Sequence, residues 1–406
     1  MTETRQLIKD YDRYVLNTYT RYPVVMVKGK GSWLWDAEGK KYLDFFPGWG
    51  VSALGHCHPK VVKAIRRQAG KLLHMPNNYY SEWQGKLAKV ISKKSFPGKC
   101  FFCNSGAEAN EGAIKLARRF GQENGRHEIV TMQSSFHGRT LAAVTATGQE
   151  KYRQGFGPLP PGFKYAPFNK LDELSKLVSD KTAAIMLELI QGEGGINVAS
   201  PKYAEGVRKI CDERDILLIV DEVQTGGGRT GSYFAFQNYA IEPDLMTLAK
   251  SLGGGVAIGA FIVKDTFAHL LPPGTHASTF GGNSLACAAG LATFEAIEEE
   301  NILDNVSKIG GYLRKKLEGF KKKFSFIKEV RGTGVMLGIE LGIECKEVVE
   351  KCLEKGLIIN CTAGRVLRLM PALNISEREV DHALAIIEEV LAEMLKNSKF
   401  QAPNNK

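Results

Sequence analysis

ILLIVDEVQTGGGRTG, residues 216–231, begins as a buried strand and closes on acids. Ile216 to Val220 is an unbroken apolar run, the composition of a strand covered on both faces. It ends in Asp221 and Glu222, where desolvating a carboxylate is costly unless the charge is paired. Glycines crowd positions 226–231, so the backbone bends sharply just past the acids. A strand of this kind belongs to a mostly parallel sheet, and ligands of such sheets sit beyond the C-terminal strand ends.

The same grammar recurs along the chain. FFCN (101–104) precedes a helix expected over 107–120, and EIVTM (128–132) and AAIMLEL (183–189) are further apolar strands. PKYAEGVRKICDERD (201–215) supplies a helix before the opening strand, and PDLMTLAKSLGGG (243–255) places Lys250 at the close of another apolar run. Upstream, SWLWDAEGKKYLDFF (32–46) reads as a hairpin around Asp36-Ala37-Glu38-Gly39, and HPKVVKAIRRQAGKL (58–72) as a helix. After the glycine-rich region 251–260 come helices over 284–298 and 303–320, then the strands FIKEV and GVMLGIEL, a helix at 345–355, the strand VLRLM and a last helix at 377–395. Strands alternating with helices predict an α/β fold, with a large mostly parallel sheet between helices and a smaller α/β unit beside it.

Composition narrows the function. The chain has 406 residues, 44% apolar and 24% charged, as expected of a soluble globular protein. Its formal charge of +10 is spread over many segments rather than gathered in a basic stripe. That argues against nucleic acid and suits an enzyme of anionic metabolites. Eight scattered cysteines do not make a disulfide scaffold, and Cys100 and Cys103 lack a second pair at metal-ligand spacing, so reduced thiols and no metal are expected. The charged start MTETRQLIKDYDRYV lacks the apolar core of a signal peptide, and no run reaches membrane-spanning length. The expected compartment is the cytoplasm.

Chemically awkward groups fall at the strand ends. Ser105-Gly106-Ala107 follows a strand and opens a helix, presenting backbone N–H groups to an anion. Phe136-His137-Gly138-Arg139 offers an aromatic face and a guanidinium that can grip a carboxylate. Gln191-Gly192-Glu193 follows the third strand, Asp221 ends the fourth, and Lys250 stands before a flexible turn. An acid, a lysine, an aromatic plate and an anion cradle together describe a pyridoxal phosphate site. Singly each signal has a plain alternative. A strand-end Asp equally caps a helix or pairs in a salt bridge, and a lysine in an apolar segment commonly snorkels.

Over essentially its whole length the sequence resembles the class-III (ornithine-type) aminotransferases, which are fold-type-I pyridoxal-phosphate enzymes. The ordered motifs are GSWLWDAEGKKYLDF, LGHCHPKVVKAI, CNSGAEANEGAIKLAR, SFHGRT, QGEGG, DEVQTGGGRTG, LAKSLGGG, STFGGNSLACAAG and VRGTGVMLGIEL. Within that family it is most similar to the acetylornithine aminotransferase branch. The resemblance implies that Lys250 carries the cofactor and that Asp221 faces the pyridine nitrogen. It implies that Gln224 lies near the phenolic oxygen, and that Val223 and Phe136 flank the ring. Ser105, Gly106 and Ala107 would hold the phosphate with Thr279 of the partner subunit, which makes a homodimer obligatory. Arg139, with Ser278 nearby, would bind the donor's α-carboxylate, and Arg368 that of 2-oxoglutarate or glutamate. Glu193 would pair with Arg368 whenever the donor brings no carboxylate there. The implied organisation is an N-terminal segment, 1–60, contributing to the small domain, a large cofactor domain, 61–305, and a C-terminal small domain, 306–406.

Three positions depart from the family pattern. Ala107 stands where relatives carry a hydroxyl, and Glu188-Leu189 replaces Glu-Pro, on what reads as the strand. Trp49 takes a position that helps shape the distal end of the substrate pocket, or else is an interdomain core aromatic. The expected reaction is N2-acetyl-L-ornithine plus 2-oxoglutarate giving N-acetyl-L-glutamate 5-semialdehyde plus L-glutamate, in arginine biosynthesis. Ornithine, 4-aminobutyrate, succinyl-diaminopimelate and a carrier-linked lysine-pathway intermediate are the alternative donors. An aminomutase or decarboxylase would not need the Arg368–Glu193 device, and a cofactor-less relative would not keep both Lys250 and Asp221.

Overall fold

The strand Leu217–Asp221 lies in the middle of a seven-stranded sheet, in a computed structural model that describes residues 3–396. In chain order the strands are β1 (Gly98–Cys103), β2 (Glu128–Met132), β3 (Phe163–Ala166), β4 (Thr182–Leu187), β5 (Leu217–Asp221), β6 (Leu245–Leu248) and β7 (Gly259–Lys264). Their spatial order is β1-β7-β6-β5-β4-β2-β3, and only β7 runs antiparallel to its neighbours. β4 and β5 are buried along their whole length, which is why their sequences show no polar alternation. The expected terminal segments include 1–2 and 397–406, which lie outside the described residues.

Helices cover both faces of this sheet, and local chemistry sets their ends. The helix Pro201–Arg214 starts where the Ser200 hydroxyl accepts the Tyr203 N–H, with Pro201 in its first turn. Asn283 caps Ser284–Glu299 in the same way, through the Ala286 N–H. That helix is apolar on nearly every side and is buried accordingly.

The N-terminal hairpin, Trp33–Asp36 with Lys41–Asp44, pairs in parallel with Leu357–Ile358, so the two ends of the chain share one small sheet. A second small sheet, wholly antiparallel, contains Ile327–Thr333, Met336–Leu341, Val366–Leu369 and Asn360–Thr362. Its register places Arg368 between Gly338 on one side and Asn360 on the other. The glycine lets Ile196 and Val366 pack closely, and the asparagine supplies Arg368 with an acceptor.

Three expectations change. β7 was absent from the sequence reading, because its GAFIVK run abuts the glycine-rich turn. β4 ends at Leu187, so Glu188 and Leu189 lie beyond the strand rather than on it, and the Glu188 carboxylate accepts the Phe136 and Gly192 N–H groups. Cys345 and Cys361 form a disulfide, with Cα atoms 5.7 Å apart, where free thiols were expected. The turn at Gly364, which accepts the Cys345 N–H, brings these distant cysteines together. Cys100, Cys103, Cys287 and Cys352 remain free, and burial pushes their thiols up to about 12, so they stay neutral. Among the described residues no helix is long and apolar enough to cross a membrane. Alkylating the unfolded, unreduced protein should block six cysteines, with two more becoming reactive after reduction. Blocking of all eight without reductant would contradict the pairing.

Candidate active site

Beyond the C-terminal ends of the parallel strands lies a cavity of about 460 Å³, and the groups singled out from sequence gather around it. Ser105, Gly106, Ala107, Phe136, Arg139, Asp221, Val223, Gln224 and Lys250 all line it. At its floor β1 passes directly into the helix Gly106–Gly121, capped by Ser105, whose hydroxyl accepts the Glu108 N–H at 3.2 Å. The Glu108 carboxylate in turn accepts the Asn104 N–H at 2.6 Å, one residue before the cap, and this fixes the helix entrance. First-turn N–H groups have no acceptor within the helix and therefore suit a phosphate. Gly106 is needed there, since a Cβ would sit 2.7 Å from a methyl of Val223. Ala107 leaves its place small, against the backbone of Gly138.

Asp221 is held from three sides. Its Oδ2 accepts from Asn110 Nδ2 and from His137 Nδ1, both at 2.8 Å, and its Oδ1 accepts the Val223 N–H at 3.0 Å. Asn110 also donates to the His137 carbonyl at 2.6 Å, which locks the imidazole in place. Burial of His137 disfavours its charge, but the hydrogen bond and charge of Asp221 outweigh that and hold its pKa above the ordinary value. Asn110 and His137 were not assigned roles from sequence. His137 sits in the quoted motif, but nothing in its spacing announces a partner 84 residues away.

Glu222 points away, into the fold. It is buried, accepts the Phe236 N–H at 2.9 Å and the Thr225 hydroxyl, and so braces the glycine-rich bend. Burial raises its pKa, partly offset by those donors. Holding that bend is its role.

Lys250 follows β6 and takes a left-handed backbone conformation, φ 46°, which a non-glycine residue adopts at some cost. Burial lowers its pKa, with Glu193 opposing and Arg368 adding to the effect, so its amine is more readily neutral than an exposed lysine's. Glu188 lines the same cavity, and burial pushes it up to about 7, partly offset by His137.

A second cluster adjoins the cavity through Gln224. The Arg368 Nη1 donates to Glu193 Oε1 at 2.6 Å, to the Gly192 carbonyl at 2.9 Å and to Gln224 Oε1 at 3.2 Å. Its Nε and Nη2 donate to Asn360 Oδ1 at 3.0 and 2.8 Å. Phe46 lies under the guanidinium, 4.7 Å from ring centre to Cζ. Burial would raise the Glu193 pKa, but Arg368 more than reverses this and keeps it below the usual carboxylate value. Arg139 is different. It is exposed at the mouth, stacked 4.1 Å over Tyr152 and 5.5 Å from Phe136, with no carboxylate partner among the described residues.

Besides Glu193 and Arg368, three expected site residues lie outside the cavity lining. Ser278 accepts from Asn104 Nδ2 at 3.2 Å, beside the helix entrance. Thr279 is exposed on the surface of the single chain. Trp49 is 47% exposed and meets Phe46 edge-on at 5.6 Å, so it is not a core aromatic.

These residues fit pyridoxal phosphate. The helix entrance would hold the phosphate, the buried carboxylate with its three donors would face the ring nitrogen, and a lysine with a lowered pKa lines the same space. In the cofactor-free protein, the depressed Lys250 destabilises the native state. The penalty is full below its folded pKa and vanishes as pH rises through the unfolded lysine value of about 10.4. Lys250→Met should therefore raise the neutral-pH Tm of that form and flatten its rise with pH. An unchanged or lower Tm would contradict the lowered pKa.

The class-III aminotransferase family model matches residues 14–391. An acetylornithine aminotransferase of Caldanaerobacter subterraneus is 54% identical over 386 residues, 94% of this chain and 98% of that protein. One from Methanocaldococcus jannaschii is 52% identical, covering 95% of this chain and 97% of the relative. Among solved structures, the ornithine aminotransferase of Toxoplasma gondii, with pyridoxal phosphate at partial occupancy in its active site, superposes with a TM-score of 0.92 at 34% identity, covering 97% of this chain and 95% of that one.

Proposed function

The chain belongs to the class-III aminotransferase family, and we propose that it moves the terminal amino group of N2-acetyl-L-ornithine to 2-oxoglutarate, giving N-acetyl-L-glutamate 5-semialdehyde and L-glutamate, with pyridoxal phosphate as cofactor. The observation that carries this reading is the contrast between two arginines. Arg368 is buried and masked by Glu193, whereas Arg139 is exposed and unmasked. A donor that reacts at its terminal amine brings its α-carboxylate to the mouth and nothing to the inner arginine. 2-Oxoglutarate brings carboxylates to both. A guanidinium that is covered in one half-reaction and opened in the other serves both substrates. Relatives at 54% and 52% identity carry the acetylornithine name, which supports the same donor.

Bound pyridoxal phosphate supplies an electron sink and a carbon that alternately takes and gives up the amino group. Lys250 would hold it covalently and carry a proton at the reacting carbon of each substrate. Asp221, fixed by Asn110 and His137, would keep a proton on the ring nitrogen. Phe136 and Val223 would confine the ring, and Gln224 would face its phenolic oxygen. Ser105 and the N–H groups of Gly106 and Ala107 would bind the phosphate, so the hydroxyl missing from Ala107 removes one contact of several. Arg139 would receive the donor α-carboxylate with Ser278, and Arg368 that of glutamate. Trp49, touching Phe46 beneath Arg368, would shape the distal end of the pocket.

The site is completed by a second copy of the chain. Thr279 is exposed, and Tyr79, Tyr80 and Phe280 are 68%, 104% and 61% exposed in the single chain, an apolar face that suits burial in a homodimer. The partner subunit's Thr279 would then reach the phosphate. A cytoplasmic setting fits a biosynthetic enzyme of this kind.

A panel of amino donors with 2-oxoglutarate should show the highest kcat/KM for N2-acetylornithine. A preference for free ornithine would overturn the donor, and no transamination with any donor would overturn the reading. Arg139→Ala should lower kcat/KM for the acetylated donor by about 10- to 100-fold, the worth of a charge-assisted contact, while glutamate loses less. Equal losses for the two would contradict the arginine assignment.

A further inference from the structure

We propose that Glu188 is a positioning residue that ties the loop 133–139 to the segment 191–195, so that Arg368 is unmasked by movement of the Glu193 side chain alone. This rests on the function proposed above. Glu188 is only 5% exposed and stands just past the end of β4. Its two oxygens serve two different loops. Oε2 accepts the Phe136 N–H at 2.9 Å, and Oε1 accepts the Gly192 N–H at 3.3 Å. Phe136 carries the aromatic face of the cofactor cavity, and Gly192 immediately precedes the residue that masks Arg368.

The backbone around Glu193 is pinned on both sides. The Gly192 N–H is held by Glu188, its carbonyl accepts from Arg368 Nη1 at 2.9 Å, and the Glu193 carbonyl accepts from the Thr362 hydroxyl at 2.7 Å. Sideways motion is also closed, because a Cβ at Gly192 would lie 1.8 Å from Gln224 Oε1. With the main chain fixed, the freedom left to uncover Arg368 belongs to the Glu193 side chain.

Glu188 forms no ion pair with a lysine or arginine among the described residues, and the positive charges that act on it, His137 and Lys250, do so without direct contact. A buried carboxylate without such a partner is costly, and what it supplies here is a pair of acceptors, one for each of two donors that would otherwise be stranded. A glutamine cannot do the same, since it offers one oxygen and turns an NH₂ toward the second donor.

The test is hydrogen exchange of segments 134–139 and 189–195 in the holoenzyme, together with steady-state kinetics. Glu188→Gln should speed exchange at least about 10-fold in both segments, as expected when a buried hydrogen bond is lost, with no comparable change elsewhere. It should also raise KM for both substrates more than it lowers kcat, because the two loosened segments carry Arg139 and the residue that masks Arg368. Glu188→Asp, whose shorter side chain cannot span both loops, should loosen the same two segments, and it decides the matter if Glu188→Gln does not fold. Protection unchanged in either segment, or KM values that both stay at the wild-type level, overturns the tether while transamination by the wild type stands. If the wild type fails to transaminate, the proposed function falls, and the exchange result alone decides the tether.

Discussion

Beside the small antiparallel sheet, the cavity's neighbourhood is arranged around one buried ion pair, Arg368 with Glu193. Arg368 is 1% exposed, so its guanidinium has lost its water and must find acceptors in the protein. It finds them in Asn360, the Gly192 carbonyl, Gln224 and Glu193. Removing one member of such a pair typically costs about 3–5 kcal/mol, because the other is left buried and uncompensated. An incoming carboxylate can replace Glu193 without that loss. The pair therefore keeps the guanidinium satisfied, and in the proposed reaction it would yield it to a ligand's carboxylate.

The same principle answers the acid at the end of β5. Asp221 is not left alone in the apolar sheet. Asn110 comes from the helix after β1, His137 from the loop after β2, and Val223 from the chain just beyond Asp221 itself. Each donor belongs to a different strand-end crossing, so the carboxylate is positioned by the sheet as a whole. Its neighbour Glu222 takes the opposite direction and holds the turn. Two adjacent acids thus perform separate tasks, one toward the cofactor space and one toward the core.

Much of this was legible in the sequence. The apolar runs at 128–132, 183–189 and 216–222 announced buried parallel strands, and the awkward residues at their ends announced the cavity. Signals failed where a contact joins distant parts of the chain. His137 with Asp221, Glu188 with Phe136, and Cys345 with Cys361 have no local pattern, because a hydrogen bond or disulfide between loops leaves no periodicity. β7 was missed for a different reason: an antiparallel strand beginning at a glycine blends into the turn before it. The roles of Arg368 and Glu193 came from family resemblance rather than from spacing, and their contact is visible only once the small antiparallel sheet sets Arg368 beside Asn360.

The most direct measurement of the central claim follows the two half-reactions of Glu193→Gln separately, by stopped-flow absorbance of the bound cofactor. With the mask neutralised, Arg368 stays open in both halves, which harms only the substrate that brings no carboxylate to it. The account predicts that the N2-acetylornithine half slows by about 10- to 100-fold while the glutamate half stays within about 3-fold of the wild type. Equal slowing of both halves, or no slowing of either, would contradict it.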